Sequence, residues 1–356
     1  MAWFFQLQEG PRLSQSNIGG FRIAGVSTCL PPLVVDNLDP ALGFAPEDVR
    51  KVVAMAGVRE RRVVASDVTS ADLCHRAAER LLERLGWAPE TVSALIFVTQ
   101  TPDHFLPSTS CLLQQRLGLS DTCAAFDVGL GCSGYPYGLY IAATMLRGGG
   151  HRRVLMLHGE TPSRFVSPED QATVLLFSDA GSATALELDD DPSAGGHFVL
   201  HSDGSGAEGL ILRGGAFRDR EPANPRHRFL EMDGAAIFNF TIKRVPALIA
   251  DTLAFAGKAV ADVDAFVFHQ SNRFIMKHLM KKSGLPEDRV PFSIEDSGNC
   301  GGPSVAVAMT RRLSTPPPGQ RQLWMLLGYG VGLSWASALV PVDERTVLLH
   351  DDGEGL

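Results

Sequence analysis

Residues 126–134 read FDVGLGCSG, a short apolar strand that runs into glycines, a cysteine and then a helix. We predict the strand over residues 124–128, and the glycines after it permit a tight bend. Cys132 therefore lies at or near a helix start, where free N–H groups and the helix dipole favour a thiolate. The alternative is a small cysteine that only fills the core. The helix is indicated by apolar residues at helical spacing: Tyr137, Leu139, Tyr140, Ala142, Ala143 and Leu146.

Two further polar turns follow in the second half of the chain. Residues 264–268 (DAFVF) predict a buried strand that ends directly before His269. Residues 296–304 (DSGNCGGPS) include Asn299 and open another predicted helix. A histidine at a strand end is often structural, and an asparagine beside glycine is commonly a turn or cap residue. The ordered set of Cys132, His269 and Asn299, each at a strand-to-helix turn, is more specific and indicates a catalytic site.

The two halves of the chain repeat one pattern at an offset of about 170 residues. In each half a buried strand, a long connection, a helix and a second strand follow in the same order. Such a repeat predicts a pseudo-twofold α/β protein with largely buried strands. In that arrangement the turns of both halves can converge on one site. The matching segments are residues 93–100 with 264–271, 132–134 with 300–302, and 154–159 with 323–328.

The composition narrows the class of protein. A chain of 356 residues with 45% apolar and 20% charged residues is typical of a globular protein with a large core. The net charge of −8 argues against nucleic acid as a general partner. We find no signal peptide and no stretch that predicts a membrane span. The six cysteines follow no metal-ligand or disulfide spacing, so we expect a reducing, cytoplasmic location and no bound metal.

These motifs resemble those of the β-ketoacyl-(acyl carrier protein) synthase III type of condensing enzyme, from about residue 20 to residue 340. Further motifs that carry the resemblance are GVRER at 57–61, LFSDAGSA at 176–183 and GYGVGLSW at 328–335. The resemblance implies a thiolase fold, in which two pseudo-symmetric α/β/α halves form a five-layered α-β-α-β-α body. The N-terminal half, residues 1–190, is expected to carry the cysteine, and the C-terminal half, residues 191–356, the histidine and asparagine.

The resemblance also implies the roles of the site residues. Cys132 takes the acyl group as a thioester, and the backbone N–H groups of Cys132 and Val331 (or Gly330) bind the oxyanion. His269 and Asn299 donate hydrogen bonds to a malonyl thioester while it loses carbon dioxide. An amide suits this task because a carboxylate would repel the developing enolate. We therefore expect decarboxylative carbon–carbon bond formation, with no cofactor.

The malonyl group is expected to arrive on acyl carrier protein, which is acidic. Lys277, Lys281 and Lys282 lie on one face of the helix after His269. In the resembling enzymes, basic residues at the positions of Lys281 and Lys282 help to dock the carrier. The ordinary alternative for such a run of charge is a solvated helix face.

The sequence departs from the pattern of the family in three ways. Lys51 and Met55 stand where a Trp and an Arg hold the adenine of coenzyme A, so an acyl carrier becomes a plausible donor beside acyl-CoA. Leu106 occupies the position that reaches across a dimer to cap the partner's acyl pocket, which predicts a changed acyl preference. Cys300 follows Asn299 where Thr is common, and we expect it to pack in the core.

We also consider functions other than condensation in fatty acid or polyketide-like biosynthesis. Acyl transfer to an amine or hydroxyl without decarboxylation is the main alternative. Condensation of the 3-hydroxy-3-methylglutaryl-CoA synthase kind is disfavoured because residues 99–107 contain no glutamate. A non-catalytic partner subunit is disfavoured because Cys132, His269 and Asn299 are all present. The family implies a dimer, either of identical chains or with a homologue.

Overall fold

A computed structural model describes residues 14–356, and these form fifteen strands and nine α-helices, with seven short 3-10 helices between them. The strands are β1 (Gln15–Gly19), β2 (Phe21–Cys29), β3 (Leu33–Asp36), β4 (Glu60–Val63), β5 (Ala94–Val98), β6 (Ala124–Val128), β7 (Arg153–Glu160), β8 (Ala180–Leu188), β9 (Gly195–Ser202), β10 (Leu210–Ile211), β11 (Glu231–Met232), β12 (Ala265–Phe268), β13 (Arg321–Gly330), β14 (Ser334–Asp343) and β15 (Val347–Asp351). The helices are α1 (Pro46–Ala56), α2 (Ser70–Leu85), α3 (Thr109–Arg116), α4 (Gly134–Gly148), α5 (Gln171–Val174), α6 (Gly234–Ala256), α7 (Arg273–Lys282), α8 (Ile294–Ser297) and α9 (Ser304–Arg312).

Two mixed sheets organise the fold. One has six strands in the order β15-β2-β8-β7-β5-β6, and the other has five in the order β1-β9-β14-β13-β12. Strand β5 runs parallel to both β6 and β7, and β12 runs parallel to β13. The carboxyl ends of these parallel strands therefore deliver the Cys132 turn from one sheet and the His269 turn from the other.

The ends of the chain cross between the sheets. Strand β1 pairs with β9 in the five-stranded sheet, while β15 pairs with β2 in the six-stranded sheet. We propose that the two duplicated units divide at residue 190. Strand β1 of the N-terminal unit then lies in the sheet of the C-terminal unit, and β15 of the C-terminal unit lies in the sheet of the N-terminal unit.

Helices α4 and α9 lie between the two sheets and form the middle layer. Helix α4 packs on β7 and β14, and α9 packs on β2 and β12. Because α4 is enclosed on both sides, it is apolar around most of its surface. Its one buried phenol, Tyr135, is satisfied by a 2.9 Å hydrogen bond to the Thr184 hydroxyl. Gly138 allows close approach, since a Cβ there would lie 2.9 Å from Val98 Cγ2.

The outer layers complete the architecture. Helix α2 packs on the outer face of the six-stranded sheet, against β2 and β8. Helix α6 packs on the outer face of the other sheet, against β9 and β14, and α7 packs beside α6. The order of layers is therefore α-β-α-β-α, which confirms the predicted thiolase fold. None of the helices between residues 14 and 356 has the length and apolar character needed to cross a bilayer.

Candidate active site

The nucleophile turn lies between β6 and α4. Cys132 is buried, with 9% of its surface exposed, and α4 begins two residues later at Gly134. The Gly134 N–H donates to the Gly131 carbonyl over 2.7 Å, which closes the turn around the cysteine. The Ser133 and Ser334 hydroxyls are 2.6 Å apart and tie this turn to the glycine-rich segment after β13.

The glycine-rich segment lies against the thiol. A Cβ built on Gly330 would be 2.8 Å from Cys132 Sγ, so only glycine fits there. The backbone N–H of Val331 faces the Cys132 side chain and lowers the pKa of its thiol. The two predicted oxyanion donors, Cys132 and Val331, thus meet at the thiol, and their role in catalysis stays a prediction.

The thiol is not stabilised as a thiolate in the resting site. Burial raises the pKa of Cys132 to about 11, and the Val331 N–H and the nearby Glu160 carboxyl act in opposite directions on it. The N–H groups of Val331 and Cys132 lower this pKa, which is the direction expected at a helix start. Desolvation disfavours the charged form more than the adjacent N–H groups support it.

His269 follows β12 and is almost fully buried. Its Nδ1 lies 2.8 Å from the Ser304 hydroxyl oxygen, which also accepts the Gln270 N–H over 3.1 Å. With the Ser304 hydroxyl donating to Nδ1, the ring proton lies on Nε2, and we adopt this tautomer. Burial lowers the pKa of His269 to about 4, against an opposing backbone hydrogen bond with Gly301, so the ring is neutral at pH 7.

Asn299 is held with its amide in one orientation. Its Oδ1 accepts the Gly301 N–H over 3.0 Å, and its Nδ2 donates to the Ser271 carbonyl over 3.1 Å. The backbone on either side is anchored as well, through Leu176 and Ser178. One of the two amide protons is used in this way, and the other remains for a ligand.

The structure brings Cys132, His269 and Asn299 together in one cavity of about 90 Å³, which Tyr329 and Gly330 also line. We call this the catalytic cavity. A second cavity of about 50 Å³ adjoins it and shares Cys132 as a wall. We call this the acyl cavity, because Cys132, the residue expected to hold the acyl group, forms part of its wall. Its other lining residues are Gln100, Gly131, Glu160, Pro162, Phe165, Phe177, Leu210, Leu230, Gly301 and Val331.

Sequence reasoning missed the polar residues of the acyl cavity. Glu160 ends β7 and is buried, and burial raises its pKa to about 8. Gln100 follows β5, the neighbouring parallel strand. A charged residue directly after a buried strand was the available signal, since parallel strands end at a common edge.

The predicted docking lysines all lie on α7. Lys277, Lys281 and Lys282 are exposed, and the Lys282 Nζ donates to the Ile242 carbonyl over 2.7 Å. Lys282 is therefore held against α6, which leaves Lys277 and Lys281 to face solvent more freely. Carrier docking at this face stays a prediction.

The three departures from the family pattern are also placed by the structure. Lys51 and Met55 are exposed on α1, where Lys51 Nζ forms a 3.1 Å ion pair with Asp48. Leu106 is 84% exposed beside the exposed Phe105. Cys300 is fully buried and packs with an apolar cluster, and burial raises the pKa of its thiol. Its surroundings suit a packing residue.

Comparison with known proteins agrees with this geometry. The family models described as 3-oxoacyl-(acyl-carrier-protein) synthase III and its C-terminal part match residues 126–204 and 253–342. A 3-oxoacyl-(acyl-carrier-protein) synthase from Burkholderia xenovorans LB400 is 41% identical, with a TM-score of 0.91 over 95% of this chain and 98% of that one. The synthase III of Pseudomonas aeruginosa PAO1 is 28% identical, with a TM-score of 0.80 over 91% and 98% of the chains.

A polyketide enzyme is similar to a comparable degree. The priming β-ketosynthase of the R1128 polyketide biosynthetic pathway is 28% identical, with a TM-score of 0.83 over 94% of this chain and 100% of that one. The resemblance that the motifs predicted is confirmed by the family models and by these structures. The chain belongs to the 3-oxoacyl-(acyl-carrier-protein) synthase III family of condensing enzymes.

Proposed function

We propose that the protein joins an acyl group held on Cys132 to a malonyl thioester with loss of carbon dioxide, in fatty acid or polyketide-like biosynthesis. The observation that carries this proposal is the meeting of Cys132, His269 and Asn299 in the catalytic cavity. A thiol, a neutral imidazole and an amide supply one nucleophile and two uncharged donors.

In the loading step, the Cys132 sulfur attacks the carbonyl of an acyl thioester. A new C–S bond to Cys132 forms and the bond to the donor sulfur breaks, while the cysteine proton leaves with the departing thiol. With a pKa of about 11, only about one thiol in 10⁴ is ionised at pH 7, so proton loss accompanies attack. The Cys132 and Val331 N–H groups bind the tetrahedral oxyanion, at about 3 kcal/mol per donor.

In the condensation step, the bond from the malonyl methylene carbon to its carboxylate breaks and its electron pair forms an enolate. His269 Nε2–H and the free Asn299 amide proton donate to the enolate oxygen. The enolate carbon attacks the acyl carbonyl, the C–S bond to Cys132 breaks, and the sulfur takes up a proton. Neutral donors suit this charge, and burial holds His269 in its neutral form.

The surface features support proposals about partners. We propose that malonyl-acyl carrier protein docks at Lys277, Lys281 and Lys282, where positive charge meets an acidic carrier. This chain has Lys51 and Met55 where the resembling enzymes have a Trp and an Arg that hold coenzyme A. That replacement favours an acyl-carrier donor over acyl-CoA. The apolar surface at Phe105 and Leu106 favours a dimer, with an identical chain or a homologue.

The test is intact-protein mass spectrometry of wild type and Cys132→Ala. Each is incubated with acyl-CoAs and acyl-carrier proteins, and malonyl-carrier protein is added afterwards. We expect a mass gain on wild type alone, which malonyl-carrier protein discharges with release of carbon dioxide. Discharge by an amine or hydroxyl without carbon dioxide would favour acyl transfer, and no mass gain would favour a non-catalytic partner subunit.

A further inference from the structure

Tyr329 lines the catalytic cavity, and the proposed mechanism leaves its hydroxyl group unused. Tyr329 is the residue before Gly330 on β13, and only 2% of its surface is exposed. Its ring meets the His269 imidazole edge-on, with the ring centroids 5.5 Å apart and the planes at 75°. A phenylalanine would provide the same ring. A buried hydroxyl is unfavourable unless it is hydrogen-bonded, so its partners show what it does.

Within residues 14–356 the Tyr329 hydroxyl has two partners, and both belong to the turn after β12. It donates to the carbonyl oxygen of His269 over 3.1 Å. Its oxygen also lies 3.1 Å from the Ser271 hydroxyl oxygen. A carbonyl only accepts, so the single phenol proton goes to His269, and the Ser271 hydroxyl donates to the phenol oxygen. Tyr329 therefore ties residue 269 to residue 271 across the bend between them.

The same turn holds the amide of Asn299. The Ser271 N–H donates to the His269 carbonyl over 2.8 Å, so this carbonyl accepts from both Ser271 and Tyr329. The Ser271 carbonyl in turn accepts from Asn299 Nδ2 over 3.1 Å. One amide proton of Asn299 is fixed in this way, and the other is the proton assigned to the malonyl thioester. The direction of that second proton depends on where the Ser271 carbonyl stands.

Tyr329 also connects this turn to the strand that leads to the nucleophile. The His269 N–H donates to the Leu327 carbonyl over 2.7 Å, at the end of the pairing between β12 and β13. Beyond that point the Tyr329 hydroxyl joins the two segments. The next residue, Gly330, lies against Cys132, where a Cβ would be 2.8 Å from Sγ. One side chain thus links the donor turn to the segment that touches the thiol.

We propose that the Tyr329 hydroxyl is a positioning group for the condensation step, which through the turn after β12 fixes the directions of His269 Nε2–H and of the free Asn299 amide proton. The inference rests on the proposed decarboxylative condensation. Loss of the hydroxyl releases the His269 carbonyl and the Ser271 hydroxyl, while the N–H groups beside Cys132 stay in place. Since an enolate is stabilised by donors that are oriented before the reaction, condensation slows and acyl loading does not.

The test separates the two half-reactions in Tyr329→Phe, which keeps the ring and removes only the hydroxyl. The first measurement is the single-turnover rate of Cys132 acylation by acetyl-pantetheine, followed by intact mass. The second is carbon dioxide release from saturating malonyl-pantetheine, which needs no carrier docking. We expect release to slow about tenfold, the effect of one hydrogen bond, because Ser304 and Gly301 still hold the two donors. The acylation rate should equal that of wild type.

Tyr135→Phe is the matched control, because it also removes a buried phenol hydroxyl, one that bonds to Thr184 within the fold. Urea denaturation should show similar losses of stability in the two variants, while Tyr135→Phe should release carbon dioxide at the wild-type rate. Ser271→Ala removes the other end of the link and should slow release as well. Combining it with Tyr329→Phe should slow release by less than the product of the two single effects, because both act through one hydrogen bond.

Equal slowing of acylation and of carbon dioxide release in Tyr329→Phe would overturn the inference, since a general loosening of the site has that result. Release at the wild-type rate in Tyr329→Phe, or equal slowing of release in Tyr135→Phe, would overturn it too. Each of these outcomes leaves the proposed function standing. If Tyr329→Phe does not fold, Ser271→Ala decides by the same two rates. Wild type that gains acyl mass but releases no carbon dioxide would overturn the proposed condensation and this inference together.

Discussion

Gly330 gives the sharpest test of how the thiol is positioned. A Cβ at this residue would lie 2.7 Å from the Cys132 Cβ and 2.8 Å from its Sγ. Since carbon atoms approach favourably to about 3.5 Å, the cysteine or the segment must move by about 0.8 Å in Gly330→Ala. The φ of +154° at Gly330 adds strain for any residue with a side chain. A misplacement near 1 Å at a reacting group costs about 10²-fold in rate, so we expect Cys132 acylation to slow by about that factor.

The assay is the single-turnover rate of Cys132 acylation by an acyl-pantetheine, followed by intact mass. Gly129→Ala, on the turn that carries Cys132, is the matched control, because a Cβ there meets no atom within 4 Å. Thermal unfolding of both variants checks that the fold is kept. Equal acylation rates for Gly330→Ala and Gly129→Ala would refute the argument that close contact at Gly330 positions the sulfur.

Four further predictions follow from the site. Asn299→Asp should lower carbon dioxide release from malonyl-carrier protein by about 10²-fold or more while acylation of Cys132 persists, and equal loss of both steps would contradict the assigned role. Alkylation of Cys132 by iodoacetamide should rise about tenfold per pH unit from pH 7 to 10, since burial raises its pKa to about 11, and a plateau below pH 8 would show a stabilised thiolate. Lys281→Glu should raise the KM for malonyl-carrier protein by about threefold to fivefold and leave malonyl-pantetheine unaffected, whereas an equal change for both substrates would exclude docking there. Burial raises the pKa of Glu160 from 4.5 to about 8, so its contribution to stability is full below pH 4.5 and is lost as the pH rises through 8. Relative to Glu160→Gln, wild type should therefore lose on the order of 4 kcal/mol of unfolding free energy between pH 5 and 8, measured by urea denaturation. Parallel curves of unfolding free energy against pH for the two proteins would contradict a raised pKa.

Much of the architecture was predictable because strands and helices leave local periodic patterns. The strand over residues 124–128 and the strand before His269 appear at the predicted positions. The repeat of strand, connection, helix and strand predicted a pseudo-twofold α/β protein, and the family resemblance implied its five layers. The exchange of β1 and β15 between the sheets was not predicted, because pairing between strands more than 150 residues apart leaves no local pattern.

The sequence by itself determined the family, the layered α/β fold and which residues stand at the strand-to-helix turns. Only the tertiary structure decided the states of those residues. The raised pKa values of Cys132 and Glu160 and the hydrogen bond of His269 to Ser304 each depend on burial or on partners distant in the chain. Desolvation and hydrogen bonding are set by everything that packs around a group, and that environment exists only once the two sheets have come together.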